Sequence, residues 1–158
     1  MRPIWTAILL GGLVAGTIDI GSATLIYWVN PVVILHSIAS GVLGRASFSE
    51  GVPSALLGLL LQWAMSLIIA AIYVLSTRVV QVPSRLWIAA GLAYGVAIFF
   101  VMNYVVVPLS AAMPKPHLPH FTPDKFAENM IAMLLFGLIV AFFARRADGS
   151  SISTPSAV

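Results

Sequence analysis

One carboxylate stands where the chain is most apolar. Asp19 lies past the middle of the run from Ile4 to Tyr27, which carries no other charged side chain. An ionisable group in hydrocarbon costs about 2.5–3.5 kcal/mol on insertion scales, so it needs a partner or a task. Gly12, Gly16 and Ala23 recur around Asp19 at steps of four, three and four residues, which return to nearly one face of a helix. Small residues on that face allow another helix to approach closely, so Asp19 is expected to point into a helix bundle and away from lipid.

Other polar groups fall at a similar depth. Gln62 shares a helical stripe with Ala55, Gly58 and Ser66; Asn103 sits beside Tyr104; Glu128 and Asn129 occupy the first turns of the last apolar run. At a rise of about 1.5 Å per residue, Asp19, Gln62, Asn103 and Asn129 lie within roughly 3–10 Å of the membrane midplane, all on one side. They are expected to meet as one intramembrane polar cluster, with Glu128 at its edge. Two chemistries fit. The first is packing glue, interhelical hydrogen bonds of about 0.6 kcal/mol on average. The second is a site that binds or moves a proton, a cation or a small solute, since an amide in place of Asp19 serves as glue at lower desolvation cost.

The histidines offer less. His117 and His120 stand three residues apart in a proline-rich stretch, and His36 lies on the same side of the membrane. A metal site requires three or four ligands held by a further ring of hydrogen bonds, and only these histidines and Glu128 are within reach of one another. They read as loop histidines, and neither a metal nor a cofactor is expected. There is no Ser-His-Asp set at matching depth, no HExxH and no glycine-rich nucleotide loop, so no catalytic residue is assigned and enzyme activity is not the favoured reading. The absence of cysteine removes disulfides, thiolate metal sites and iron–sulfur ligation.

Helices must position these groups. The 158 residues are 60% hydrophobic and 8% charged, with a mean hydropathy of +1.03, a composition whose natural solvent is the bilayer. The expected fold is an all-α integral membrane protein, a four-transmembrane-helix bundle with spans at about 4–27, 53–75, 86–107 and 125–143. Asn30-Pro31 breaks the first helix, and the apolar stretch from 31 to 44 is too short to span, so it is expected as an interfacial or re-entrant helix. Residues 1–146 form a single transmembrane domain, and 147–158, Ser-rich and without apolar period, form a disordered cytoplasmic tail. The N-terminal run reads as a retained span in preference to a signal peptide cleaved near Gly21-Ser22-Ala23. Pro108 is expected to end the third span, and the prolines between Met113 and Pro123 to make a stiff extended loop. Thr122-Pro123-Asp124 then carries the marks of a helix start. Gly12-x-x-x-Gly16 and Gly91-x-x-x-Gly95 are close-packing patterns, within the bundle or between copies. Trp63, Trp87 and Phe99-Phe100 read as lipid-facing or interfacial aromatics.

Charge sets the orientation. With four spans, Arg2, Arg78, Arg85, Arg145 and Arg146 share one side, and Arg45, Lys115 and Lys125 the other. The positive-inside rule then places both termini in the cytoplasm. Eight scattered basic residues make no phosphate-tracking stripe, so nucleic acid is not a partner.

The phrases Gly11-Gly12-Leu-Val-Ala-Gly-Thr-Ile-Asp-Ile, Ile38-Ala-Ser-Gly-Val-Leu-Gly and Val101-Met-Asn-Tyr-Val-Val-Val-Pro-Leu-Ser resemble a group of small four-span proteobacterial inner-membrane proteins without assigned activity. The resemblance covers most of residues 10 to 146 and implies the topology and the bacterial inner membrane; it carries over no site. The expected role is structural or accessory, packing with itself as a homo-oligomer or with a larger membrane complex, and the lipid bilayer is the expected partner. The alternative is a transporter or permeation unit for protons or a small solute, built on Asp19.

Overall fold

The computed structural model describes residues 2–80, 82–112 and 120–149, and all the regular structure among them is helical. In chain order the helices are α1 (Arg2–Tyr27), α2 (Pro31–Leu43), α3 (Val52–Val80), α4 (Trp87–Val101), the short turn α5 (Val107–Leu109) and α6 (Pro123–Gly149). Short 3₁₀ turns at Gly44–Phe48 and Ser84–Leu86 lead towards α3 and into α4, and a π-helical turn at Met102–Val106 joins α4 to α5. Five segments are long and apolar enough to cross a membrane: Ile4–Tyr27, Pro31–Phe48, Val52–Val80, Trp87–Leu109 and Pro123–Ala147. The protein is therefore an all-helical membrane protein. The fifth segment is the difference from the four-span expectation, because the 3₁₀ turn lengthens the stretch after Pro31 to Phe48.

The long helices expose apolar side chains on their outer faces, as membrane spans do. Ile68, Ile72, Leu75 and Val79 on α3 and Ile131 and Leu135 on α6 all lie open. The core between them mixes small residues, Ala7, Ala15, Ala70, Ala141 and Ala144, with larger ones, Ile69, Tyr73, Ile98 and Phe136. α1 packs against both α3 and α6, which also touch each other; α4 packs against α6, and α2 against α3. The packed neighbours are thus α2 with α3, α3 with α1, α1 with α6 and α6 with α4, while α3 and α4 face each other more loosely across two tyrosines.

Glycines set the spacing. A Cβ added to Gly12 would lie 2.9 Å from the Leu67 backbone, and one at Gly16 would be 2.8 Å from Ser66 Cβ, so α1 and α3 touch almost backbone to backbone. On the other flank the Gly91-x-x-x-Gly95 pattern of α4 meets Gly137 of α6, where an added Cβ would lie 2.8 Å from Gly95 N. Gly137 is a packing residue that the sequence reading did not single out. It stands alone in its span, and only its partner stripe on α4 reveals its role.

All four long helices alternate in direction. Ile26 and Tyr27 at the end of α1 meet Lys125 and Asn129 at the start of α6, and Phe99 near the end of α4 stacks on Phe126. One end of the bundle therefore gathers the end of α1, the start of α3, the end of α5 and the start of α6. Both ends of α2 lie there too. Its first residue follows α1 through Asn30, whose side chain accepts the Val32 N–H at 2.8 Å. At its other end Gly41 O accepts the Ala111 N–H at 2.9 Å.

Several boundaries differ from expectation. α3 runs to Val80 and not to about Leu75; within the helix the hydroxyls of Ser76 and Thr77 turn back to Tyr73 O and Val74 O, which satisfies them without an outside partner. Pro108 does not end the third span; it lies inside α5, after a turn in which the Val107 N–H reaches back five residues to Met102 O. A proline lacks the N–H and crowds the carbonyl four residues before it, and a widened turn accommodates both. α6 continues to Gly149, with Ala147 buried, so its end overruns the tail boundary expected at 147. Residues 150–158, the remainder of that tail, lie outside the described residues, as does most of the proline-rich segment, 113–119. Phe99 is fully buried among aromatic rings and faces no lipid.

The glycine contacts predict an asymmetric response to added side chains. Gly137→Val should push α4 off α6 and lower stability by about 1–3 kcal/mol, the usual cost of overpacking. Gly21→Ala, where an added Cβ meets nothing within 4 Å, should leave the melting temperature in detergent unchanged or raised. Thermal unfolding of the two purified variants beside the wild type is the measurement.

Candidate functional site

The stripe bearing Gly12 and Gly16 faces α3, and Asp19 continues it by one turn. Because the helices approach so closely there, Gln62, one turn from Ser66, reaches across. Its Nε2 donates to Asp19 Oδ2 at 2.8 Å and to Gly16 O at 3.4 Å, which occupies both N–H bonds of the amide. Beside this pair Trp63 Nε1 donates to Thr17 Oγ1 at 3.2 Å, and Thr17 Oγ1 donates back to Leu13 O at 2.7 Å. Two neighbouring side chains of α3 thus grip two neighbouring turns of α1. Gln62 is the single hydrogen-bond donor to the Asp19 carboxylate among the described residues.

A second set closes the end of the bundle. Asn129 Nδ2 donates to Lys125 O at 2.7 Å and to Tyr27 Oη at 3.1 Å. Lys125 Nζ donates to Ile26 O at the C-terminal end of α1 and to Glu128 Oε2, the latter at 2.7 Å, and lies 5.6 Å from the centre of the Tyr27 ring. An ammonium at that position satisfies an otherwise orphaned carbonyl and complements the negative end of the helix dipole. The Lys125–Glu128 pair itself is partly exposed and adds little on its own. At the start of α6, Thr122 Oγ1 accepts the Lys125 N–H at 3.4 Å, as a capping residue does.

The expected single cluster is therefore divided. Asp19 meets Gln62; Asn129 and Glu128 meet Lys125 near Tyr27, about 12 Å further along α1 at 1.5 Å per residue. Asn103 joins neither and donates to Phe99 O of its own helix at 2.9 Å, within the π turn. Depth brought these groups to similar levels, but their directions around the helices separate them. α3 and α6 meet α1 along different faces, and Asn103 lies in the π turn that follows α4, the helix that packs on α6.

His36 forms a contact that the sequence reading left unassigned. Buried between α2 and α3, its Nδ1 lies 2.7 Å from Ser47 O and 3.3 Å from Ser54 Oγ. A carbonyl can only accept, so Nδ1 carries the proton and cannot remove one from Ser54; this histidine and serine do not form a nucleophile with its base. The contact holds the 3₁₀ turn and the first turn of α3 against α2, where Gly58 leaves room for the Leu35 carbonyl. His120 is exposed and His117 lies outside the described residues. Among the described residues no three His, Asp or Glu side chains converge as metal ligands would.

The Asp19–Gln62 contact predicts that Gln62→Leu leaves a half-buried carboxylate without its donor. Stability should fall by about 1–3 kcal/mol, the cost of an unsatisfied buried polar group. The double variant Asp19→Leu/Gln62→Leu should recover part of that loss, and chemical or thermal unfolding of the three variants in one detergent checks it. Compared with protein-family models, with curated proteins and with solved structures, the chain matches none, and its function is read from its own residues.

Proposed function

We propose that the protein is a four-span bundle of the bacterial inner membrane whose role is structural or accessory, exercised by packing with itself or with a larger membrane complex. The observation that carries this reading is how its intramembrane amides are used. Gln62, Asn103 and Asn129 each donate to a helix backbone, and the first and last also bridge to a side chain of α1. Their polarity serves helix contact, and the groups do not line a common space. A permeation path requires polar groups turn after turn along one passage.

Four spans are favoured over five by the course of α2. Its 13 residues reach about 20 Å against about 30 Å of hydrocarbon, and both of its ends touch the end of the bundle where α1 finishes. A chain that enters and leaves on one side re-enters without crossing. The arginines at 78, 85, 145 and 146 then share the opposite end with Arg2, which makes that side cytoplasmic. A reporter active only in the periplasm should be active when inserted after Glu50 and silent at the C-terminus. Activity at the C-terminus with silence after Glu50 would reject this orientation.

Asp19 supports the second reading, a proton- or cation-linked unit, on one specific ground: a single donor contacts its carboxylate. Asp19→Asn separates the two. An asparagine there still accepts from Gln62, so under the packing role its thermal stability equals or exceeds that of the wild type, and neither protein responds to added cations. A stabilisation of the wild type by a particular cation that vanishes in the variant would establish the second reading and remove the first.

A further inference from the structure

α3 and α4 run side by side without packing tightly. Two tyrosines bridge them: Tyr94 Oη donates to Ile69 O at 2.7 Å, and the Tyr73 and Tyr94 rings lie 4.9 Å apart. From this bridge towards the end of α3 the helices leave an open crevice of about 300 Å³, bounded by Tyr73, Thr77 and Val80 on one wall and by Ala90, Ala93 and Ala97 on the other. That volume stands at the lower limit of ligand pockets, roughly 300–1,000 Å³.

The chemistry of the crevice is that of a lipid tail. Its hydroxyls are already engaged, Tyr94 with Ile69 O, Ser76 with Tyr73 O and Thr77 with Val74 O. The three alanines recur at steps of three and four, giving α4 a smooth apolar face where a bulkier residue would close the gap. The crevice opens sideways between two helices whose outer residues, Leu75, Val79 and Val80 on α3 and Ile88 and Val96 on α4, face the bilayer.

Its end is basic. Val82 and Ala90 line the crevice, and Arg85 lies in the turn between them, exposed. Arg78, Arg145 and Arg146 stand at the same end of the bundle with one acid, Asp148, whereas the other four acids, Asp19, Glu50, Asp124 and Glu128, lie at mid-depth or at the other end. An arginine-rich end above an apolar slot between helices is complementary to one amphipathic class, an anionic headgroup on an acyl chain.

We propose that the crevice between α3 and α4 is a binding site for an anionic glycerophospholipid of the adjoining leaflet, one acyl chain lying along Ala90, Ala93 and Ala97 and the phosphate meeting Arg85. The test is native mass spectrometry of the full-length protein in neutral detergent, with dioleoylphosphatidylglycerol or dioleoylphosphatidylcholine added at equal concentration. The wild type should retain the glycerol lipid about fivefold more than the choline lipid, the discrimination expected of one arginine near an anionic headgroup. Arg85→Gln, an exposed change outside the helix contacts, should abolish that preference and keep choline-lipid retention. Ala93→Phe should fill the crevice and reduce retention of both. Equal retention of the two lipids by the wild type overturns the proposal, as does an Ala93→Phe pattern identical to the wild type. A wild-type dimer that Ala93→Phe converts to monomer assigns the crevice to a second copy and overturns it equally.

Discussion

Lipid tails are as apolar as leucine, so helices in a bilayer are not driven together by the hydrophobic effect that folds soluble domains. What remains is contact, and contact at backbone distance requires side chains to be missing. α1 meets α3 through Gly12 and Gly16 against Ser66, and α4 meets α6 through Gly91, Gly95 and Gly137. These two seams bring Gln62 within reach of Asp19 and fix α4 on α6, and Gly11, set against Val140 and Phe143, joins α1 to α6.

Close seams by themselves leave helices free to slide and rotate, and directional bonds remove that freedom. Gln62 reads two positions of α1 at once, a carboxylate and a carbonyl one turn apart, which specifies register as well as proximity. Lys125 and Asn129 do the same at the far end of α1. Between them the two sets pin one helix to two neighbours at two depths, so tilting either neighbour breaks bonds at one level before the other. An intramembrane hydrogen bond averages about 0.6 kcal/mol. The gain in energy is small, and the gain in defining one arrangement against its rotated alternatives is the larger consequence.

Periodicity and punctuation made the helices legible: Asn30-Pro31, Thr122-Pro123-Asp124 and the long apolar runs mark real starts and stops, and the stripe through Gly12, Gly16 and Asp19 does face another helix. The candidate site was legible only in part, and the reason is geometric. Counting residues along a span gives depth, the one coordinate that all spans share. The azimuth of each side chain relative to its neighbours depends on which helices are adjacent, and the sequence carries no such order for α3, α6 and α4 around α1. Asp19 with Gln62 was therefore reachable, and the separation of Asn129 and Asn103 from them was not. Gly137 and the His36–Ser47 contact were hidden for the same reason, each being defined by a partner on another element.

The aromatic and basic residues complete the arrangement at its two ends, and in different ways. At the arginine end the guanidinium of Arg145 lies 5.4 Å from the centre of the Trp87 ring and that of Arg146 lies 4.6 Å from the Phe142 ring. Planar cations on ring faces retain their charge while covering apolar surface. At the opposite end Lys125 turns inward, to the Ile26 carbonyl and Glu128. A compact ammonium with three donors suits a helix terminus, while a delocalised guanidinium suits a ring and a phosphate. Lys125 thus ties α6 to the end of α1, while Arg145 and Arg146 lie on aromatic rings at the other end.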